Sequence, residues 1–86
     1  MNTFFVYILY SRKLNRYYIG QTYNLEKRLR KHHSSTSHFT GKANDWVLKY
    51  TESYSTRKEA ITRESEIKKK KSRKYIEYLI NNSKTD

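Results

Sequence analysis

The chain has 86 residues, a net charge of +11 and no cysteine. That length allows one small domain with a modest core, and the missing thiols exclude disulfides and thiolate-bound metal, so a cytoplasmic address is expected. Nineteen Lys plus Arg against eight Asp plus Glu, with an isoelectric point near 10.0, call for a partner carrying repeated negative charge, nucleic acid before an acidic membrane surface.

Nine tyrosines, three phenylalanines and Trp46 set the chain apart from a disordered basic tail, even at a mean hydropathy of -1.10. Phe4 to Tyr10 is a continuous run of aromatic and aliphatic residues. It is too short to cross a bilayer and reads as a strand covered on both faces, central in its sheet. Polar residues from Ser11 to Asn15 lead into Tyr17-Tyr18-Ile19-Gly20-Gln21-Thr22, which predicts a β-hairpin. Tyr7 and Tyr18 meet side by side if the turn is centred near Arg12 and Lys13, a register the sequence does not fix.

Asn24 is an N-cap residue, Glu26 suits a first helical turn, and Leu25 with Leu29 makes an apolar pair, so a helix is predicted from about Leu25 to Ser34. On it Arg28 and His32 share a face. Ser34 to Asn44 has no apolar period and reads as a surface loop. Trp46, Leu48, Tyr50 and Tyr54 alternate with polar residues and Val47, the pattern of a half-buried third strand. Thr56 and Glu59 have the spacing of a capping box opening a second helix, on which Ala60, Glu64, Ile67 and Lys71 form one stripe. A carboxylate on that stripe is out of place. The basic run Lys68 to Lys74 is followed by a further apolar helical pattern through Ile80, as a continuation or a separate helix. Residues 1–80 are expected to form the single domain and 81–86 a flexible tail.

The order strand, strand, helix, strand, helix, with Phe5-Val6-Tyr7 in the first strand and Tyr18-Ile19-Gly20 in the second, resembles the GIY-YIG nuclease family, above all its small stand-alone members. Gln21-Thr22, Arg28, His32, Arg63-Glu64 and Ile67-Lys68 extend the match, while Phe5 and Val6 stand where the name-giving glycine and isoleucine would be. The resemblance implies an α+β fold: a mainly antiparallel three-stranded sheet packed with helices, tyrosines on its open face. It implies a metal-dependent endonuclease hydrolysing DNA, structure-directed or weakly sequence-specific. Glu64 would hold a single Mg²⁺ or Mn²⁺, Tyr7 would activate water, Tyr18 would assist, and Arg28 would clamp the phosphate.

Hydrolysis of a phosphodiester needs a deprotonated water, a cation on the non-bridging oxygens and help for the leaving oxygen. Each has a candidate here. A free phenol has a pKa of about 10, so Tyr7 needs an environment that favours its phenolate, and His32, near 6.5 when unperturbed, stays open as the proton carrier. Gly20, Lys42, Lys69, Lys70 and Arg73 are the expected nucleic-acid contacts, Gly20 by close backbone approach or else as the mark of a bulge. Plainer readings stand beside these: core tyrosines, a solvated basic run, and a Glu64–Lys68 ion pair worth about 0.3–0.5 kcal/mol if exposed. The three histidines lack a recognised zinc spacing. Two other functions remain open: a DNA- or RNA-binding module with little or no turnover, and a scaffold meeting an acidic protein. Open as well is whether a second copy or a partner protein supplies targeting.

Overall fold

The computed structural model describes residues 3–33, 43 and 45–82. The predicted central strand is β1 (Phe4–Ser11), lying between β2 (Arg16–Thr22) and β3 (Val47–Tyr54) in an antiparallel sheet of order β2-β1-β3. Its continuous apolar run has the predicted cause. Val6 and Ile8 face one way, into a core with Ala60, Ile67, Ile76 and Ile80, while Tyr7 and Leu9 face the other, against Trp46, Leu25 and Leu29. Helix α1 (Leu25–His33) therefore flanks one face, and α2 (Arg57–Lys70) with α3 (Arg73–Asn82) the other.

The hairpin closes over Arg12 to Asn15, with Ser11 opposite Arg16, and Asn15 takes a left-handed φ of 54° that asparagine tolerates well. Tyr7 is consequently opposite Gly20 and Tyr18 opposite Leu9, so the two phenols are diagonal neighbours rather than a facing pair. Arg73 holds this turn from α3. Its Nη1 donates to the Asn15 carbonyl at 2.9 Å, its Nη2 to Asn15 Oδ1 at 2.7 Å, and its Nε to Glu77 at 3.2 Å, while the guanidinium lies 5.1 Å from the Tyr17 ring centre.

One departure from simple alternation shapes the other face. Ile8 pairs with Tyr50 but Leu9 with Leu48, so Lys49 is an extra residue and β3 changes parity there. Tyr50 and Tyr54 stay on the α2 face, whereas Leu48 and Trp46 turn to the α1 face and cover Tyr7 and Leu9. Plain alternation would have put all four on one side. Asp45 anchors the approach to Trp46, accepting from Ser11 Oγ at 2.6 Å and from the Lys13 backbone N–H at 2.8 Å.

The helix signals hold. Asn24 Oδ1 accepts from the Lys27 N–H at 3.0 Å, and Thr56 Oγ1 from the Glu59 N–H at 3.2 Å. The basic run is broken into two helices by Lys71, whose φ of 47° ends α2, and Ser72, whose Oγ accepts from the Tyr75 N–H at 3.1 Å to start α3. Asn81 and Asn82, assigned from the sequence to the tail, lie within α3, and residues 83–86 lie outside the described residues.

A polar staple ties α2 to β3. Glu52 receives the Tyr50 hydroxyl, the Tyr54 hydroxyl at 2.6 Å, and Arg63 Nε and Nη2 at 2.9 and 3.1 Å. Burial alone would raise its pKa, but the bonds from Arg63, Tyr50 and Tyr54 outweigh that and hold its carboxyl below the usual range. The contribution to stability is thus complete above the unfolded pKa of about 4.3 and is lost as pH falls through the depressed folded value. Glu52→Gln leaves Arg63, only 21 % exposed, without its carboxylate. The expected cost is about 1–3 kcal/mol. In thermal melts at neutral pH this should appear as a fall of about 4–8 °C per kcal/mol.

Candidate active site

The site grows from the hairpin register. Because Tyr7 faces a residue without a side chain, its ring lies across β2 with the hydroxyl over Gly20, and a Cβ built there would be 2.5 Å from that hydroxyl and 2.7 Å from Cζ. Gly20 thus makes room for a catalytic-type side chain. It is neither a bulge, since the β1–β2 register runs unbroken through it, nor a place held open by positive φ. Tyr18 lies alongside, ring centres 6.3 Å apart, and meets the edge of Trp46 at 6.4 Å. This face is not open, as the sequence had suggested: Tyr7 is 1 % exposed beneath Trp46 and α1.

Gly20→Ala should therefore force the phenol out of place in a packed site. Overpacking of this kind costs about 1–3 kcal/mol, and thermal melts should show it. Unchanged melting would mean that the ring is free to move aside.

Arg28 reaches the site from the second turn of α1, set there by the Asn24 cap and half-buried. Glu64 comes from α2, on the opposite face. Its carboxylate is 20 % exposed and receives Lys68 Nζ at 2.7 Å, so the plain ion-pair reading is also correct. The electrostatics of Tyr7 record the convergence. Burial first, then Tyr18, push its phenol well above the ordinary value; Arg28 pulls it down, and Glu64 pushes it up again. Without bound ions the phenol is held protonated, the reverse of what a base near neutrality requires.

Neighbouring residues of α2 serve opposite edges. Arg63 bonds Glu52 on β3, while Glu64 bonds Lys68, which lines a groove with Arg16, Tyr17 and Ile19 of β2. Lys69 and Lys70 line a groove with Arg63, Glu66 and Tyr75, on the Arg63 side, where Lys70 Nζ is 5.1 Å from the Tyr75 ring centre. Arg73 is committed to Asn15 and Glu77. The structure therefore does not bring Lys69 or Lys70 to Glu64. The cations that share a groove with Lys68, the partner of Glu64, are Lys71, Arg16 and the already engaged Arg73. Helical spacing carried the signal for two of these, since i+4 and i+7 from Glu64 are Lys68 and Lys71. Of His32 only the backbone, within α1, is described, and Lys42 lies outside the described residues.

No group of three or more His, Asp or Glu side chains suited to a metal occurs among the described residues. The candidate donors are oxygens: the Glu64 carboxylate and the two phenols, while Gln21 Oε1, buried without a hydrogen-bond partner, belongs to the β2 position paired with Val6. An oxygen-only donor set suits a hard divalent cation. The residues thus fit an ion held by one carboxylate and completed by water and substrate.

The element order and sheet define a small α+β domain with a nuclease-type fold. The model of the GIY-YIG catalytic domain matches residues 3–76, and the chain belongs to that family, one of endonucleases. The solution NMR structure of the UPF0213 protein BH0048 from Bacillus halodurans is similar over 92 % of this chain and 83 % of that one, with 29 % identity and a TM-score of 0.57. No curated protein matches the chain. No helix among the described residues is long and apolar enough to cross a membrane.

Proposed function

We propose that the chain is a metal-dependent endonuclease hydrolysing phosphodiester bonds of DNA, directed by DNA structure more than by base sequence. What supports this is the GIY-YIG match over residues 3–76, beside which Arg28 and Glu64, from helices on opposite faces of the sheet, both act electrostatically on the buried phenol of Tyr7. The Arg28 guanidinium, permanently charged and able to engage two oxygens, holds the non-bridging oxygens of the scissile phosphate. Once ionised, Tyr7 takes the proton of the attacking water as the water oxygen bonds to phosphorus and the P–O bond to the sugar breaks, the leaving oxygen taking a proton from solvent. Tyr18 keeps the phenol aligned, and Trp46 keeps solvent from the apolar side of both. Glu64 would hold Mg²⁺ or Mn²⁺, which when bound stabilises negative charge on phosphate oxygens. Contacts to phosphate fix position without reading sequence, so a second copy or a partner protein would choose the site in the cell.

The test is a screen of branched, nicked and linear DNA with Mg²⁺ and with EDTA. Mg²⁺-dependent cleavage that favours the branched or nicked forms is expected. Tight, salt-sensitive binding with no cleavage under any divalent ion would instead establish the binding-module reading, for which the charge of +11 speaks.

A further inference from the structure

A groove of about 360 Å³ runs along the outer side of β2, where the edge strand meets the junction of α2 and α3. Its floor is apolar, from Ile19, Ile67 and Ile76, and its rim carries Arg16, Lys68, Lys71 and Arg73, the last already bonded to Asn15 and Glu77. Arg16 and Lys71 are exposed and have no acidic partner among the described residues. Lys68 joins this groove to the candidate active site, because the ammonium that lines it is also the one bonded to Glu64 at 2.7 Å. The volume lies toward the small end of the roughly 300–1,000 Å³ typical of small-molecule pockets.

We propose that this groove binds one unpaired nucleotide of the strand being cut, its phosphate on Arg16, Lys68 and Lys71 and its base on the isoleucine floor. Cations around a hydrophobic floor match the two halves of a nucleotide, a charged backbone and a flat apolar base. A base stacked inside a duplex cannot reach such a floor; one at a branch, nick or free end can. A phosphate in the groove also gives Lys68 a second partner and releases the Glu64 oxygens, so filling the groove and charging the site with its ion become linked. The inference rests on reading the Glu64 site as a nuclease centre.

Binding is measured on the wild-type protein in EDTA, where nothing is cut, by fluorescence anisotropy of a short labelled single strand and of its blunt duplex. Arg16→Ala and Lys71→Asn, the latter chosen because asparagine tolerates the left-handed backbone at that position, are each expected to weaken the single strand about fivefold. Each should also lower the slope of log affinity against log salt by about 0.7. Lys58→Ala and Lys74→Ala, on other surfaces, should leave both quantities unchanged. A strand of abasic sugars should bind the wild type several-fold more weakly than the normal strand. The proposal is overturned if the two groove variants bind like wild type, if they weaken duplex and single strand equally, or if the abasic strand binds as well as the normal one. Absence of cleavage by wild type in Mg²⁺ would instead sink the nuclease reading, and these binding results would stand apart from it.

Discussion

Glu64→Gln is expected to lower Mg²⁺-dependent strand scission by at least about 10³-fold while DNA binding is kept. The amide has nearly the shape of the carboxylate, so the α2 stripe of Ala60, Glu64 and Ile67 remains packed. What disappears is the negative charge. A divalent ion contributes several kcal/mol to stabilising a phosphoryl transition state, and about 4 kcal/mol corresponds to three powers of ten in rate. The ion pair to Lys68 is lost as well. That frees a cation at the rim of the β2 groove, so single-strand affinity in EDTA should hold steady or rise. Scission by purified Glu64→Gln within tenfold of wild type would show that the carboxylate does not hold the ion. Combined loss of binding and scission, with a lowered melting point, would make Glu64 a structural residue.

Tyr7→Phe is expected to reduce scission by about 10²–10⁴-fold, the range in which positioned acid–base groups contribute. The ring stays, so Trp46, Tyr18 and Leu9 keep their contact and the melting point should change little. The pH profile then separates the two proton carriers. Burial first, then Tyr18, with a smaller push from Glu64, hold the Tyr7 phenol protonated across the neutral range, with Arg28 acting against them. If the phenolate is the reactive form, the rate should rise about tenfold per pH unit beyond neutrality. If His32 carries the proton instead, the rate should level off above its ordinary pKa of about 6.5. A plateau from pH 7 upward in wild type, together with near-normal rates in Tyr7→Phe, would remove Tyr7 from the chemistry.

Much of this site could be read from residue order alone, because its parts sit on elements whose sequence signals are local. The apolar run of β1, the Asn24 cap that sets Arg28, and the Thr56–Glu59 cap that sets the phase of α2 are all decided within a few residues. Misreadings arose where structure depends on a partner far along the chain. Straight alternation in β3 hid the extra residue at Lys49, and so hid that Trp46 roofs the phenols. Gly20 looked like an opening for the ligand, but its purpose depends on the residue opposite, Tyr7, which only the hairpin register reveals. Arg73 looked like one more cation of a basic run, and nothing near it in sequence announces Asn15 as its partner. Lys71 ends α2 without the glycine that normally marks such a stop, so the break between the last two helices had no local sign.

The consecutive pair Arg63 and Glu64 makes α2 a cross-beam with one residue anchored on each side of the sheet, the guanidinium on Glu52 and the carboxylate by Tyr7. Adding or deleting a single residue ahead of that pair would rotate the beam by about 100°. Both anchorages would then be lost at a stroke. Rotational phase, more than composition, is what this helix has to preserve, so an exposed residue such as Lys58 can be exchanged while the count from Thr56 to Glu64 cannot drift.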